Sequence, residues 1–327
     1  MCLHSGLDCN GYVVGELPSL RKEFLMHQRG SFKIKNILTT LVVLSLMFSF
    51  SISHAQDWYD AAWQYRKPLI IDHTYVDAPL TDFPFLVDVT LDSGAQPDGD
   101  DVLFTDYTGV KLTHEIERYD DLTGNLVAWV KIPSLSSTDN TIVYLYYGNP
   151  AAVNQENPTA VWDTSYVMVQ HLEETSGTHN DSTSYANHGT PSVTTQGSAP
   201  GRINGADEFD NVDGVNDYVD CGLNSSLDIT GSMTVEAWVL SNGGAGANRI
   251  LAKDRTGTPG KFILWRNASG NLAFIVGDDS DWYRAIGAPI TNGEWIHVVG
   301  VYEAATRTVS LYKNGVRVTE TNGPISL

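Results

Sequence analysis

The chain has 327 residues, 42% of them hydrophobic, and 39 Asp+Glu against 20 Lys+Arg give a net charge of −19. That length allows one large domain or two ordinary ones, and that charge argues against nucleic acid or an anionic membrane surface as partner. Two of the three cysteines precede Met26, which excludes a disulfide framework; only Cys221 remains, so stability must come from a sizeable core.

The first predicted element is an export leader. Lys33 and Lys35 precede an apolar run from Ile37 to Ile52, and Ser53-His54-Ala55 follows with small residues at its first and third positions. This is the pattern of a cleaved secretory signal. The run is shorter than the ~20 residues of a bilayer span, and no Cys follows it to carry a lipid. The expectation is a leader starting at Met26, with 1–25 as an upstream extension and cleavage after Ala55. The product is then secreted or on the cell surface, extracellular or periplasmic, with no stable membrane span. The first 55 residues hold five Lys/Arg and three Asp/Glu, so their loss takes the net charge from −19 to −21.

From residue 56 the sequence reads as strands. "PLIIDHT", "FPFLVDVTL", "DVLFTD", "LVAWVKIP" and "TIVYLYYG" alternate apolar and polar residues between turn residues. In the last of these, alternation puts Ile142, Tyr144 and Tyr146 on one face and Val143, Leu145 and Tyr147 on the other. Both faces are apolar, as in an internal strand covered on both sides. Gly148-Asn149-Pro150 then stops the sheet, since Pro lacks the amide for pairing. "AAVNQENPTAVW" holds one short helical turn at most. Residues Glu173 to Gly205 are rich in Ser, Thr, Gly, Asn and His and predict long turns.

A second set follows: "DYVDCG", "MTVEAWVL", "RILAKD", "KFILWRN", "NLAFIVGD", "EWIHVVGVYE" and "TVSLYKNGVRV". Asn314-Gly315 between alternating strands is a strong hairpin signal. The predicted fold is all-β, with two β-sandwich modules at 56–152 and 160–327.

Patterns for catalysis are poor. "HEIER" (His114–Arg118) has Arg where a zinc protease needs its second His, and "HLEE" (171–174) has no second His. No G-x-S-x-G elbow occurs. Binding is better supported. "GDDSDWYRA" places Trp282 and Tyr283 beside Asp279 and Arg284, and an aromatic pair amid polar groups is a candidate ligand site. Trp265 joins this set. It shares a strand face with Ile263, opposite Phe262, Leu264 and Arg266, and one of those faces is core. The loop "DEFDNVDGVNDYVD" offers Asp210, Asp213 and Asp217 as oxygen ligands for calcium, with Asp181 a weaker candidate. Its match to an EF-hand fails at Phe209, in the first position, and at Asp220, in the twelfth. The alternative is a polar turn. Asn-x-Ser occurs at Asn180, Asn224 and Asn267, which matters only where the source glycosylates.

Two resemblances organise these readings. "WQYRKPLII", "FPFLVDV", "DGDDVLFTDYTGVKLTHEIERYD" and "AWVKIPSLSSTDNTIVYLYYGNPAA" resemble the domain-of-unknown-function family 2341. "HLEETSGTHNDSTSYANHGT", "GRINGADEFDNVDGVNDYVDCG", "SLDITGSMTVEAWV" and "GEWIHVVGVYEAATRTVSLYKNGVRV" resemble a laminin-G-like domain of the concanavalin A-like lectin/glucanase superfamily. The second resemblance implies a jelly roll that lacks its last strands at Leu327, a structural calcium, and Trp238 and Trp295 in the core. Glucanases of that superfamily carry paired carboxylates on one strand, a pattern missing here; Glu236, Glu294 and Glu303 stand alone. The expected function is a non-catalytic glycan-binding or adhesion protein whose partner is a polysaccharide or glycoprotein glycan. The alternatives are an accessory region of a larger secreted polysaccharide-degrading enzyme and a structural surface spacer.

Overall fold

The computed structural model describes residues 2–5, 58–210, 216–243, 247–255, 257, 260–277 and 282–322. Strand β1 is Cys2–Ser5. The first domain follows with β2 (Tyr65–Ile71), β3 (Leu80–Thr90), β4 (Leu103–Asp106), β5 (Lys111–Leu112), β6 (His114–Asp120), β7 (Asn125–Leu135) and β8 (Thr141–Tyr147). They form two antiparallel sheets, β2-β8-β4-β5 and β3-β7-β6. Val87, Phe104, Leu126, Val130, Val143, Leu145 and Tyr147 fill the core between them.

Strand β8 is internal, as its two apolar faces predict. Val143, Leu145 and Tyr147 enter the core, while Tyr146 on the opposite face is buried with Trp63 and Leu103. Tyr144 on that face lies beneath the Arg66 guanidinium, 4.5 Å from its ring centre. Tyrosines in this strand therefore serve mainly packing.

Helix α1 (Pro158–Val161), a single turn, leads to the second domain. Its strands are β9 (Tyr166–Val169), β10 (Thr190–Ser192), β11 (Thr195–Pro200), β12 (Gly205–Glu208), β13 (Tyr218–Asp220), β14 (Met233–Leu240), β15 (Asn248–Lys253), β16 (Lys261–Arg266), β17 (Asn271–Gly277), β18 (Trp282–Pro289), β19 (Trp295–Glu303), β20 (Thr308–Lys313) and β21 (Val316–Asn322). A six-stranded sheet, β21-β20-β19-β14-β1-β9, faces a four-stranded one, β15-β16-β17-β18. Met233, Val235, Phe262, Leu264, Phe274, Ile296, Val298 and Leu311 form the core between them. The β20–β21 turn is Asn314-Gly315, both with positive φ, as the hairpin signal predicts. The turn-rich region of 173–205 contains more order than its composition suggests, because β11 and β12 pair there as a short hairpin.

This framework corrects one expectation. Trp238 is not in the core: β14 sends Met233, Val235 and Val239 inward and turns Trp238 outward, where it is 38% exposed. Trp295 is half-buried on the same outer face, because it pairs with Leu240 and alternates with inward Ile296.

Candidate functional site

Two segments without a catalytic pattern, "HEIER" and "HLEE", meet in the fold. Glu115 pairs with Trp129 across β6 and β7, and Glu117 is the extra residue of a bulge between Ile116 and Arg118. Both carboxylates point at His171. Its Nδ1 lies 3.2 Å from Glu117 Oε2 and its Nε2 3.2 Å from Glu115 Oε1, the latter an ion pair short of hydrogen-bond alignment. Trp129 Nε1 donates to Glu117 Oε2 at 2.6 Å, Trp162 Nε1 to Glu115 Oε2 at 2.9 Å, and Ser182 Oγ to Glu115 Oε1 at 2.5 Å. Burial alone would push the His171 imidazole down; its two carboxylates reverse this and carry it up to about 10. Burial opposes the Glu115 carboxylate as well, but the ion contact with His171 and hydrogen bonds from Ser182 and Trp162 hold it below its ordinary range. A charged imidazolium clamped by carboxylates satisfies groups that would each be costly to bury alone.

A second buried imidazole lies eight residues on. His179 Nδ1 is 2.7 Å from Glu174 Oε2, and its Nε2 is 2.9 Å from Asp207 Oδ2, an ion contact outside hydrogen-bond geometry. Burial works against its charge, yet Asp207 and Glu174 raise it to about 9. This pair ties the β11–β12 hairpin to the Glu173-Glu174 segment. The hairpin comes so close that a Cβ on Gly197 would lie 2.4 Å from the Glu174 carbonyl oxygen, which requires glycine there. Asp181 is spent on its own loop, accepting from the amides of Val169, Thr183 and Asn187 and from the Thr183 hydroxyl. Among the described residues no group of three or more His, Cys, Asp or Glu is placed to hold a metal ion.

The hairpin carries Arg202 over the outer face of the six-stranded sheet. The Arg202 guanidinium sits 5.2 Å from the Trp238 ring centre. The His297 ring lies beside Trp238 at 5.2 Å and 32°. His297 Nε2 is 3.3 Å from Glu236 Oε2, and its buried Nδ1 has no partner. Trp295 shares this face. The result is an aromatic surface rimmed by a cation, an imidazole and a carboxylate, a combination that orients a ligand rich in hydroxyls. Glu303 is on the same face but four positions further along β19 than the row of Glu236, roughly 13 Å away by strand rise.

The residues singled out from sequence fall elsewhere. Phe262 and Leu264 enter the core, so Trp265 faces out from the four-stranded sheet. Trp282 and Arg284 lie on that same outer face, whereas Tyr283 packs against the core. Pairing through β17 sets Trp265 opposite Ala273 and Trp282 opposite Gly277, so their backbone positions lie roughly 16 Å apart, with Arg284 between their rows. Asp279 lies outside the described residues, as does Asp213 of the acidic loop. Of the other two candidate calcium ligands in that loop, Asp217 accepts the Asp210 amide at Oδ2, 2.8 Å away.

Comparison with known proteins finds two family models along the chain. Residues 98–214 match the domain of unknown function family DUF2341. Residues 213–326 match the concanavalin A-like lectin/glucanases superfamily. The two matches follow one another along the chain in that order. The DUF2341 match runs past the strand stop at Pro150 and takes in His171, Ser182 and Asn204. Among curated proteins none matches the chain. One solved structure, a candidate carbohydrate binding protein from Bacteroides ovatus, aligns at 13% identity over 76% of this chain and 67% of its own, with a TM-score of 0.26, a likeness too slight to build on.

Sequence reasoning missed the Trp238 face, although a signal was present. Glu236 and Trp238 are two apart in a strand, so they share a face, and a carboxylate marks that face as wet.

Proposed function

We propose that the protein is an exported, non-catalytic glycan-binding protein, whose lectin-like domain holds a polysaccharide or glycoprotein glycan on the Trp238 face. The observation that carries this reading is the half-exposed Trp238 ring, set among Arg202, His297 and Glu236. A sugar ring stacks on such an indole through its apolar face while the polar rim bonds its hydroxyls. The lectin-like family assignment supports the same class of ligand.

Trp265, Trp282 and Arg284 offer a second location, favoured by their shared outer face. Tyr283 is better suited to support than to contact. Calcium held by Asp210, Asp213 and Asp217 would order the adjacent loop.

A glycan array and polysaccharide pull-downs with the full chain, with and without calcium, test this function. Binding that W238A weakens supports the Trp238 face, and binding weakened only in W265A or W282A moves the site to the other sheet. No binding to any glycan overturns the reading.

A further inference from the structure

The Trp238 face is joined to the first domain by a continuous set of contacts. Glu117 has no cross-strand partner at its bulge, and its backbone carbonyl accepts Asn204 Nδ2 at 2.8 Å. The same amide donates to the Glu173 carboxylate. Asn204 closes the hairpin turn, where its carbonyl accepts the Gly201 amide at 2.9 Å. Arg202, inside that turn, lies over Trp238. The other end of the hairpin is fixed by Asp207, which contacts His179 and accepts the Gly197 amide at 2.8 Å. Beneath these, His171 is clamped by Glu115 and Glu117.

We infer that the first domain is a positioning scaffold for the Trp238 face. Glu115 and Glu117 fix the His171 segment, and Asn204, bonded to the Glu117 carbonyl, holds Arg202 against the indole. The sheets of β2–β8 thereby help to set one wall of the Trp238 face. The use of that wall in glycan binding rests on the function proposed above, whereas the mechanical coupling does not.

Arg202 and Asn204 are positioned by different contacts and can be separated. In the full chain labelled with 5-fluorotryptophan, fluorine NMR resolves the indoles, and Trp→Phe variants assign them. Arg202→Ala should shift the Trp238 line. Asn204→Ala, which touches neither ring nor guanidinium, should shift it in the same direction. Glu117→Gln should shift the Trp129 line directly and the Trp238 line through the hairpin. The Trp265 and Trp282 lines should stay in place throughout. Should Glu117→Gln fail to fold, Asn204→Ala still decides. A Trp238 line unmoved by Asn204→Ala overturns the inference, as does one unmoved by Arg202→Ala, because the guanidinium is then not held on the ring. Shifts as expected without any glycan binding would leave the scaffold standing and remove the glycan reading.

Discussion

The two outer faces of the jelly roll differ in what stands behind them. On the six-stranded sheet, Trp238 is joined by Arg202, His297 and Glu236, and the hairpin bearing Arg202 is anchored to the first domain. On the four-stranded sheet, Trp265, Arg284 and Trp282 share a face but are spread along it. The first is built as a site, with polar groups converging on one ring, and the second is a row of separate side chains. The difference teaches that aromatic residues on a sheet become a candidate site through what orients their neighbours, more than through their number.

The comparison can be broken or sharpened in several ways. The largest effect should come from His171→Ala, which leaves two buried carboxylates without their cation. Breaking a buried pair costs about 3–5 kcal/mol, which lowers Tm by roughly 10 °C in a protein of this size. Calorimetry should also show the two domains uncoupling into separate transitions. An unchanged single transition would mean that the clamp joins nothing.

Alkaline titration should act in the same direction but more gently. Burial opposes the His171 charge, and Glu115 and Glu117 raise it to about 10 from an ordinary 6.5. A raised pKa gives stability that is complete below the unfolded value and is lost as pH rises through the folded one. His179, raised to about 9 by Asp207 and Glu174 despite burial, adds a parallel loss. Tm should therefore fall between pH 7 and pH 10. On the acid side Glu115 is depressed, so its share is present above the ordinary carboxylate value and fades as pH falls below it. His171→Gln should flatten the alkaline slope only in part, leaving the His179 component. A Tm independent of pH from 7 to 10 would contradict the charged clamp.

The smallest effect belongs to Arg202. Exposed cation–π contacts are worth about 0.5–1 kcal/mol, so Arg202→Ala should weaken binding a few-fold at the Trp238 face. Arg284→Ala, measured by the same titration, should change nothing there. Equal losses in the two variants would erase the distinction between the faces.

Much of the fold was legible because strand alternation is local. The strand of Tyr144, Tyr146 and Tyr147 was readable as internal, and Asn314-Gly315 as a turn that needs two positive φ values. Period-two alternation also separates Tyr283 from Trp282 and Arg284. The clamp was not legible: Glu115, His171, Ser182 and Asn204 are brought together from segments far apart in the chain, and no spacing announces that. Trp238 was misplaced for another reason. The resemblance assigned it to the core, whereas the alternation of Glu236 and Trp238 against Val235 and Ala237 pointed outward.

The most direct measurement is a titration of the full chain with a glycan found on the array, followed in parallel for W238A, W265A and W282A. Stacking on one aromatic ring is worth about 0.5–1.5 kcal/mol, so the account predicts that W238A weakens binding by roughly two- to tenfold while W265A and W282A bind as the parent does. Undiminished affinity in W238A would contradict it.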